Sequence, residues 1–326
     1  MTPATIPKII LDTDPGGDDV YAILWLQSLI KQGFAELVAI TSTQGNVSAP
    51  RTFSNVSQVL QLGGFRDMEV GRGIALKEEA VEDASHIHGS DGIGNLSTTL
   101  PAPSHDYETA RYSDEIIIER LNAEPGEITI VAIGPLTNLA AAEEKSPGVL
   151  RKAKEIVVMA GAFYCPGNVT PHAEFNVWFN PKAAQTVLDS RDNLVVVPLD
   201  VTRHLIFTQE MAQLVGQVKP ESDLVKFLNA LCQFMIGTSL SYRETGGVNG
   251  FPVHDAATLG YLFYPELFML RRARVRVETQ GRWTRGQTLI DDRLSPKVGL
   301  NAWVALRVDR VKFFTSLIED LKVLIR

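Results

Sequence analysis

The chain has 326 residues, 45% hydrophobic and 21% charged, a composition ordinary for a globular protein. Thirty-eight acidic against 31 basic residues leave a net charge of -7, a field that favours neither nucleic acid nor an anionic membrane as partner. The two cysteines, Cys165 and Cys232, form no CxxC, which excludes a zinc ribbon or disulfide scaffold and makes a reducing compartment the default.

Short apolar runs alternate with amphipathic stretches. KIILDTD (8–14) reads as a buried strand ending in carboxylates, and residues 18–31 read as the helix after it. ELVAITST (36–43) is a second strand, with a helix over 49–62. EITIVAIG (127–134) is followed by a helix from 136 to 144. EIVVMAG (155–161) and NLVVVPLD (193–200) are further strands. Near-continuous Val/Ile runs suit strands covered on both faces, as in parallel sheets. RRARVRVET (271–279) alternates with period two, so an antiparallel or edge strand is expected there. Residues 309–325 read as a terminal amphipathic helix. No linker or repeat divides the chain, so one domain over 1–326 is expected. Its class is α/β, an open, mostly parallel, Rossmann-like sheet with helices on both faces. Residues 77–105 lack a core pattern and predict a loop over a site. No signal-peptide pattern opens the chain and no apolar stretch approaches bilayer-spanning length, so the expected location is cytoplasmic, with no membrane partner.

In such sheets ligands bind outside the carboxyl ends of the strands, so the residues just after each strand carry the information. After the first comes DTDPGGDD, with Asp12, Asp14, Asp18 and Asp19. TQGN ends at Asn46; GPLTN carries Thr137 and Asn138; the segment after EIVVMAG carries Asn168, Glu174 and Asn176; VHDAAT places His254 beside Asp255. Four Asp within eight residues repel one another and are costly to bury without a cation or tight hydrogen bonds. Helix capping, at about 0.3–1 kcal/mol each, accounts for one or two of them. Hard oxygen donors without a zinc-spaced Cys/His set suit Ca²⁺ or Mg²⁺. HAEFN is not HExxH, and neither a P-loop nor a GxSxG elbow is present.

DTDPGGDDVYAIL, TSTQGN, HGSDGIGN, AIGPLTNLA, MAGAF, GNVTPHAEFNVWFNP, PLDVT and VHDAAT occur in this order. Together they resemble the inosine-uridine-preferring nucleoside hydrolases over nearly the whole chain, and RGQTLIDDR and NAWVALRVD are similar to that family's tail. The resemblance implies hydrolysis of the N-glycosidic bond of ribonucleosides to ribose and base, a tightly bound Ca²⁺, and a homodimer or homotetramer. By motif it implies Asp14, Asp19, the Thr137 carbonyl and Asp255 as metal ligands. Asp18, Asn168, Glu174, Asn176 and Asp255 would hold ribose hydroxyls, with Met159 near the sugar and Asn46 ordering the network. Asp14 would be the general base for a water activated beside the ion, and His254 the acid for the leaving base. His88 is expected to reach the base, and Tyr242 is weighed as part of a second lid. Gly17 departs from the family pattern, in which a larger residue is commoner.

Other polar residues have structural readings. Asp200 is expected to be a strand-end or cap residue, and Asp12 to bond behind the ligand shell. Phe227, Phe234 and Met235 suit a buried helix face. Two alternatives stand beside the hydrolase: a Mg²⁺ phosphatase with an aspartate nucleophile, and a non-catalytic nucleoside- or sugar-binding protein.

Overall fold

Along β1 (Lys8–Thr13), Ile9 and Leu11 enter one apolar core and Ile10 enters another. That is the period-two alternation of a strand, and here both faces are covered. The computed structural model describes residues 6–74, 82–293 and 298–326. After β1 come α1 (Gly17–Lys31), β2 (Glu36–Ser42), α2 (Ala49–Gly63), β3 (Val70–Gly71), α3 (Ser85–His88), α4 (Ser113–Ala123), β4 (Ile128–Ala132) and α5 (Thr137–Lys145). The middle of the chain gives β5 (Glu155–Met159), α6 (Phe175–Phe179), α7 (Pro181–Ser190), β6 (Leu194–Val197), α8 (Leu199–Thr202), β7 (Ile206–Thr208), α9 (Gln209–Gly216) and α10 (Asp223–Ser241). It ends with β8 (Gly250–Pro252), α11 (Ala256–Phe263), β9 (Phe268–Ala273), β10 (Val275–Val277), β11 (Thr288–Ile290), β12 (Ala302–Val308) and α12 (Arg310–Ile325).

The main sheet has eight strands in the order β3-β2-β1-β4-β5-β6-β12-β9. Pairings are parallel from β3 to β12, and only β12 with β9 is antiparallel. The expected α/β architecture is therefore present, as a single domain. Strand order reverses between β1 and β4, which opens a crevice at their carboxyl ends. One face of the sheet carries α1, α2, α10, α11 and α12; the other carries α4, α5 and α7.

α1 is buried from Gly17 through Leu29, as expected for a helix apolar on nearly every side. Its far end is tied to α12, where Asp320 accepts hydrogen bonds from Trp25 Nε1 at 2.7 Å and Tyr264 Oη at 2.6 Å. Its N-terminus, with Gly16 at the cap position, is thereby aimed into the crevice.

Two expectations change. RRARVRVET is not one strand: β9 ends at Ala273 as the antiparallel edge of the main sheet, and β10 leaves to pair with β11 in a separate ribbon. The chain also holds a helix of near-spanning length, Asp223–Ser241, 19 residues with mean hydropathy 1.2. Half of that window is buried inside the fold, where Phe227, Leu231 and Met235 join the core. Its apolar character serves packing, as read for Phe227 and Met235; Phe234 is only partly buried.

Candidate active site

The carboxyl ends of β1, β2, β4 and β5 surround a cavity of about 460 Å³, within the range of small-molecule sites. Of the residues singled out in the sequence, Asp14, Asp18, Asn46, His88, Met159, Asn168, Glu174, Asn176, Met235, Tyr242, His254 and Asp255 line it.

Local sequence explains the placement. β1 ends at Thr13, and Pro15-Gly16 turns the chain into α1. Asp19 caps the helix: its Oδ2 accepts the Gly16 N–H at 2.9 Å, while Oδ1 accepts the Thr13 hydroxyl at 2.6 Å. Capping thus accounts for Asp19 but not for its neighbours. Asp18, Asp19 and Asp255 bring carboxylate oxygens within 4.8 Å of one another, and all three are buried. Two of the three, Asp19 and Asp255, are expected metal ligands, and Asp18, expected among the sugar ligands, lies beside them. Asp14 stands beside this trio; burial raises its pKa, and the charges of Asp19 and Asp18 add to the rise. It is confined between two glycines, because a Cβ at Gly45 or Gly134 would run into its carboxylate. Asn46 joins the group by donating its backbone N–H to Asp14 Oδ2 at 2.8 Å, and its amide to the Asp14 carbonyl at 3.0 Å and to Asp19 Oδ2 at 3.2 Å.

Thr137 is buried at the start of α5, where its hydroxyl accepts from Asn180 at 3.3 Å. It is not among the cavity-lining residues. Asp12 lies behind the site, as expected, though its partners are side chains and not loop amides. Its Oδ1 accepts from Thr41 at 2.6 Å and from Asn138 at 2.8 Å. Asp200 is structural: its carboxylate accepts the Phe163 and Tyr164 N–H groups at 2.9 and 2.7 Å.

On the β5 side, Glu174 caps α6, its oxygens accepting from Gly161, Asn176 and Val177 N–H. Asn176 donates its amide to the carbonyls of Ile133 and Met159 at 2.9 and 3.1 Å, which leaves its oxygen as the acceptor. Asn168 is opposite in sense: its Oδ1 accepts from Phe175 N–H at 2.9 Å, which leaves its amide as the donor.

Two imidazoles complete the wall. Gly17 N–H donates to His88 Nδ1 at 3.0 Å, so the ring hydrogen sits on Nε2. His254 Nδ1 lies 2.8 Å from the Thr202 hydroxyl. Burial lowers His88 to about 3 and His254 to about 4, with help from the neighbouring His254 and His86 charges in the first case and Arg203 in the second. Both rings are neutral at pH 7. The carboxyls move the other way. Burial and mutual repulsion push Asp14 and Asp255 well up and Asp18 to about 7; burial raises Asp19, and also Glu174 to about 6. None of these five carboxylates has an ion-pair partner among the described residues.

The outer rim matches the loop expected over 77–105 in part; residues 77–81 lie outside the described residues. From Ser85 the segment forms α3 and then a glycine turn, with Asp91 collecting the N–H groups of Ile93, Asn95 and Ser97. Tyr242, exposed, packs edge to face on His86 with ring centroids 5.2 Å apart. Sequence reading passes over Arg203, Glu244 and Trp178, which also line the cavity; Arg203 directly follows PLDVT, the one signal that marks it. Met235 lines it too, in addition to its core role, and occupies the space a Cβ at Gly17 would take.

Unpaired carboxylates gathered at the strand-order reversal, faced by neutral imidazoles, form an enzyme site suited to splitting a polar substrate with water. The family model described as inosine-uridine preferring nucleoside hydrolase matches residues 9–315, and the chain belongs to that family. Uridine nucleosidase 1 of Arabidopsis thaliana is 35% identical over 303 residues, 91% of this chain and 85% of that protein. The inosine-uridine preferring nucleoside hydrolase of Leishmania major is 33% identical over 319 residues, 97% of each chain. A solved purine-preferring ribonucleoside hydrolase from Gardnerella vaginalis is similar with a TM-score of 0.88 at 27% identity, covering 97% of this chain and 98% of that one. The phosphatase and non-catalytic alternatives are thereby set aside.

Proposed function

We propose that this protein is a Ca²⁺-dependent hydrolase that cleaves the N-glycosidic bond of purine or pyrimidine ribonucleosides, releasing ribose and free base. The observation that supports it most is the convergence of Asp14, Asp18 and Asp255, buried and without cationic partners, in one cavity with His88 and His254, with buried Asp19 grouped against Asp18 and Asp255. Oxygen-only donors at this density fit a hard divalent cation. Asp14, Asp19, Asp255 and the Thr137 carbonyl would hold it, with Asp18 alongside. When bound, the ion supplies positive charge that lets the carboxylates ionise together, acidifies a neighbouring water and orients sugar hydroxyls.

The chain's own residues do the rest. Asp14, fixed by Asn46, accepts the proton of the attacking water. Asp18, the Asn168 donor, the Asn176 acceptor and Glu174 hold ribose hydroxyls, so that water and C1′ meet in one orientation. Met159 packs beside the sugar. The transition state has oxocarbenium character, and the surrounding carboxylates favour that positive charge. His254, held through Nδ1 by Thr202, presents Nε2 to the departing base; neutral at rest, it must first take up a proton before it passes one on, and general acid assistance of this kind typically contributes 10²–10⁴-fold. Relatives named for uridine and for purines suggest that both base classes be tried.

The test is base release from uridine, cytidine, inosine and adenosine by ion-loaded protein, with a chelator control. Release that stops in chelator and returns with Ca²⁺ is expected. An ion-loaded protein that releases no base would overturn the proposal.

A further inference from the structure

Two arginines line the cavity, Arg243, which is exposed, and Arg203, which is half-buried. Arg203 follows Thr202, the residue bonded to His254 at 2.8 Å, and it ends α8 with its own N–H on the Leu199 carbonyl at 3.1 Å. Its charge is felt at His254 and at Cys165, to which its side chain bonds. It forms no ion pair among the described residues. Asp200, three residues earlier, is committed to two backbone N–H groups.

Around it the lining is acidic, with Asp14, Asp18, Glu174, Glu244 and Asp255. A phosphate on the substrate would meet those charges, so the guanidinium suits a group that becomes negative only as the reaction proceeds. Heterolysis supplies one. The electron pair of the C1′–N bond leaves with the base, water oxygen bonds to C1′, and the water's proton finally returns to the base. Before it returns, a uracil- or hypoxanthine-type base spreads that pair onto its carbonyl oxygens. A guanidinium carries planar, permanently charged donors for such oxygens.

We propose that Arg203 is the leaving-group residue of this hydrolase, donating to the carbonyl oxygens on which the departing base carries the bond's electrons. The assignment rests on the functional reading above and adds a substrate bias toward oxo-bases over amino-bases.

The experiment compares wild type, R203M and R203K, each loaded with Ca²⁺, on uridine, inosine, adenosine and 4-nitrophenyl riboside. The last has a leaving group that is stable as an anion. R203M is expected to lose about 10²-fold in kcat/KM on uridine and inosine, the scale of one lost charge-stabilising donor. It should lose less than about 5-fold on 4-nitrophenyl riboside, and R203K should recover part of the loss. If R203M does not fold, R203Q carries the same comparison. An equal loss on all four substrates would overturn the assignment in favour of a structural role. So would a loss confined to uridine 5′-monophosphate, run as a fifth substrate, which would assign the charge to phosphate. Wild type that cleaves the nucleosides while R203M cleaves all four substrates as well as wild type does would overturn Arg203's role alone. Wild type that cleaves none of them would overturn the underlying function as well.

Discussion

Asn46 grips Asp14 at two points, its N–H on the carboxylate at 2.8 Å and its side-chain amide on the carbonyl at 3.0 Å. The same amide reaches Asp19 Oδ2 at 3.2 Å. One neutral residue, through its backbone N–H to Asp14 and its side-chain amide to Asp19, therefore sets the relative placement of two carboxylates that would otherwise repel. Asn46→Ala removes the amide and keeps the backbone bond. Hydrogen bonds to charged groups contribute about 1.5–3 kcal/mol, so kcat/KM should fall about 10–100-fold, with weaker Ca²⁺ affinity by calorimetry. A variant with unchanged ion affinity and turnover would remove Asn46 from this role.

The carboxyl cluster makes stability depend on pH and on the ion together. Burial raises all four of Asp14, Asp18, Asp19 and Asp255, repulsion adds to it at Asp14, Asp18 and Asp255, and Asp18 reaches about 7. A raised folded-state pKa contributes stability that is complete below the unfolded value near 4 and is lost as pH climbs through the folded value. The ion-free protein should therefore weaken between about pH 4 and pH 8. A bound cation removes the repulsion and binds better as the protons leave. At a hundredfold excess over Kd the added stability is about 2.7 kcal/mol. Melting temperatures with Ca²⁺ and with chelator should differ more at pH 8 than at pH 5.5; equal differences at both would contradict the linkage.

Thr202 is fully buried, and its hydroxyl meets His254 Nδ1. Thr202→Val keeps the volume and deletes the bond. The ring is then free to turn, and an unsatisfied buried nitrogen costs about 1–3 kcal/mol. Turnover of nucleosides should drop about 3–10-fold with little change for 4-nitrophenyl riboside, which needs no proton on departure. An equal drop for both would place His254 in a positional role.

Much of this is legible in the chain itself. A buried strand such as 8–14 that ends in carboxylates is readable because period, burial and charge change at one point. Asp12 and Asp200 read as structural, and the hydrogen bonds made by each agree. Pairing between distant segments is not readable. NAWVALRVD carries no strand signal strong enough to use, yet β12 sits inside the sheet between β6 and β9. Continuous alternation over 271–279 hides the point where the chain changes sheets. The pairing of Asp18 with Asp255 depends on where α11 docks, which residue spacing does not encode. Arg203 looks like any surface arginine until its cavity is visible.

Gly17 and Met235 supply a test of packing. A Cβ built on Gly17 would run into the Met235 thioether, and Met235 is 3% exposed. The space beside Gly17 is thus filled by a long side chain from α10. Gly17→Ala overpacks the contact and should destabilise by about 1–3 kcal/mol. Met235→Ala alone opens a cavity, at about 2–5 kcal/mol. Combined, the two changes relieve each other, so the double variant should be more stable than the sum of the single losses by at least about 0.5 kcal/mol. Because Gly17 N–H also holds His88, Gly17→Ala should depress turnover as well as stability, and the double variant should regain part of both. Urea unfolding of the four proteins reads the coupling; strictly additive losses would mean that the methionine does not occupy the glycine's space in solution.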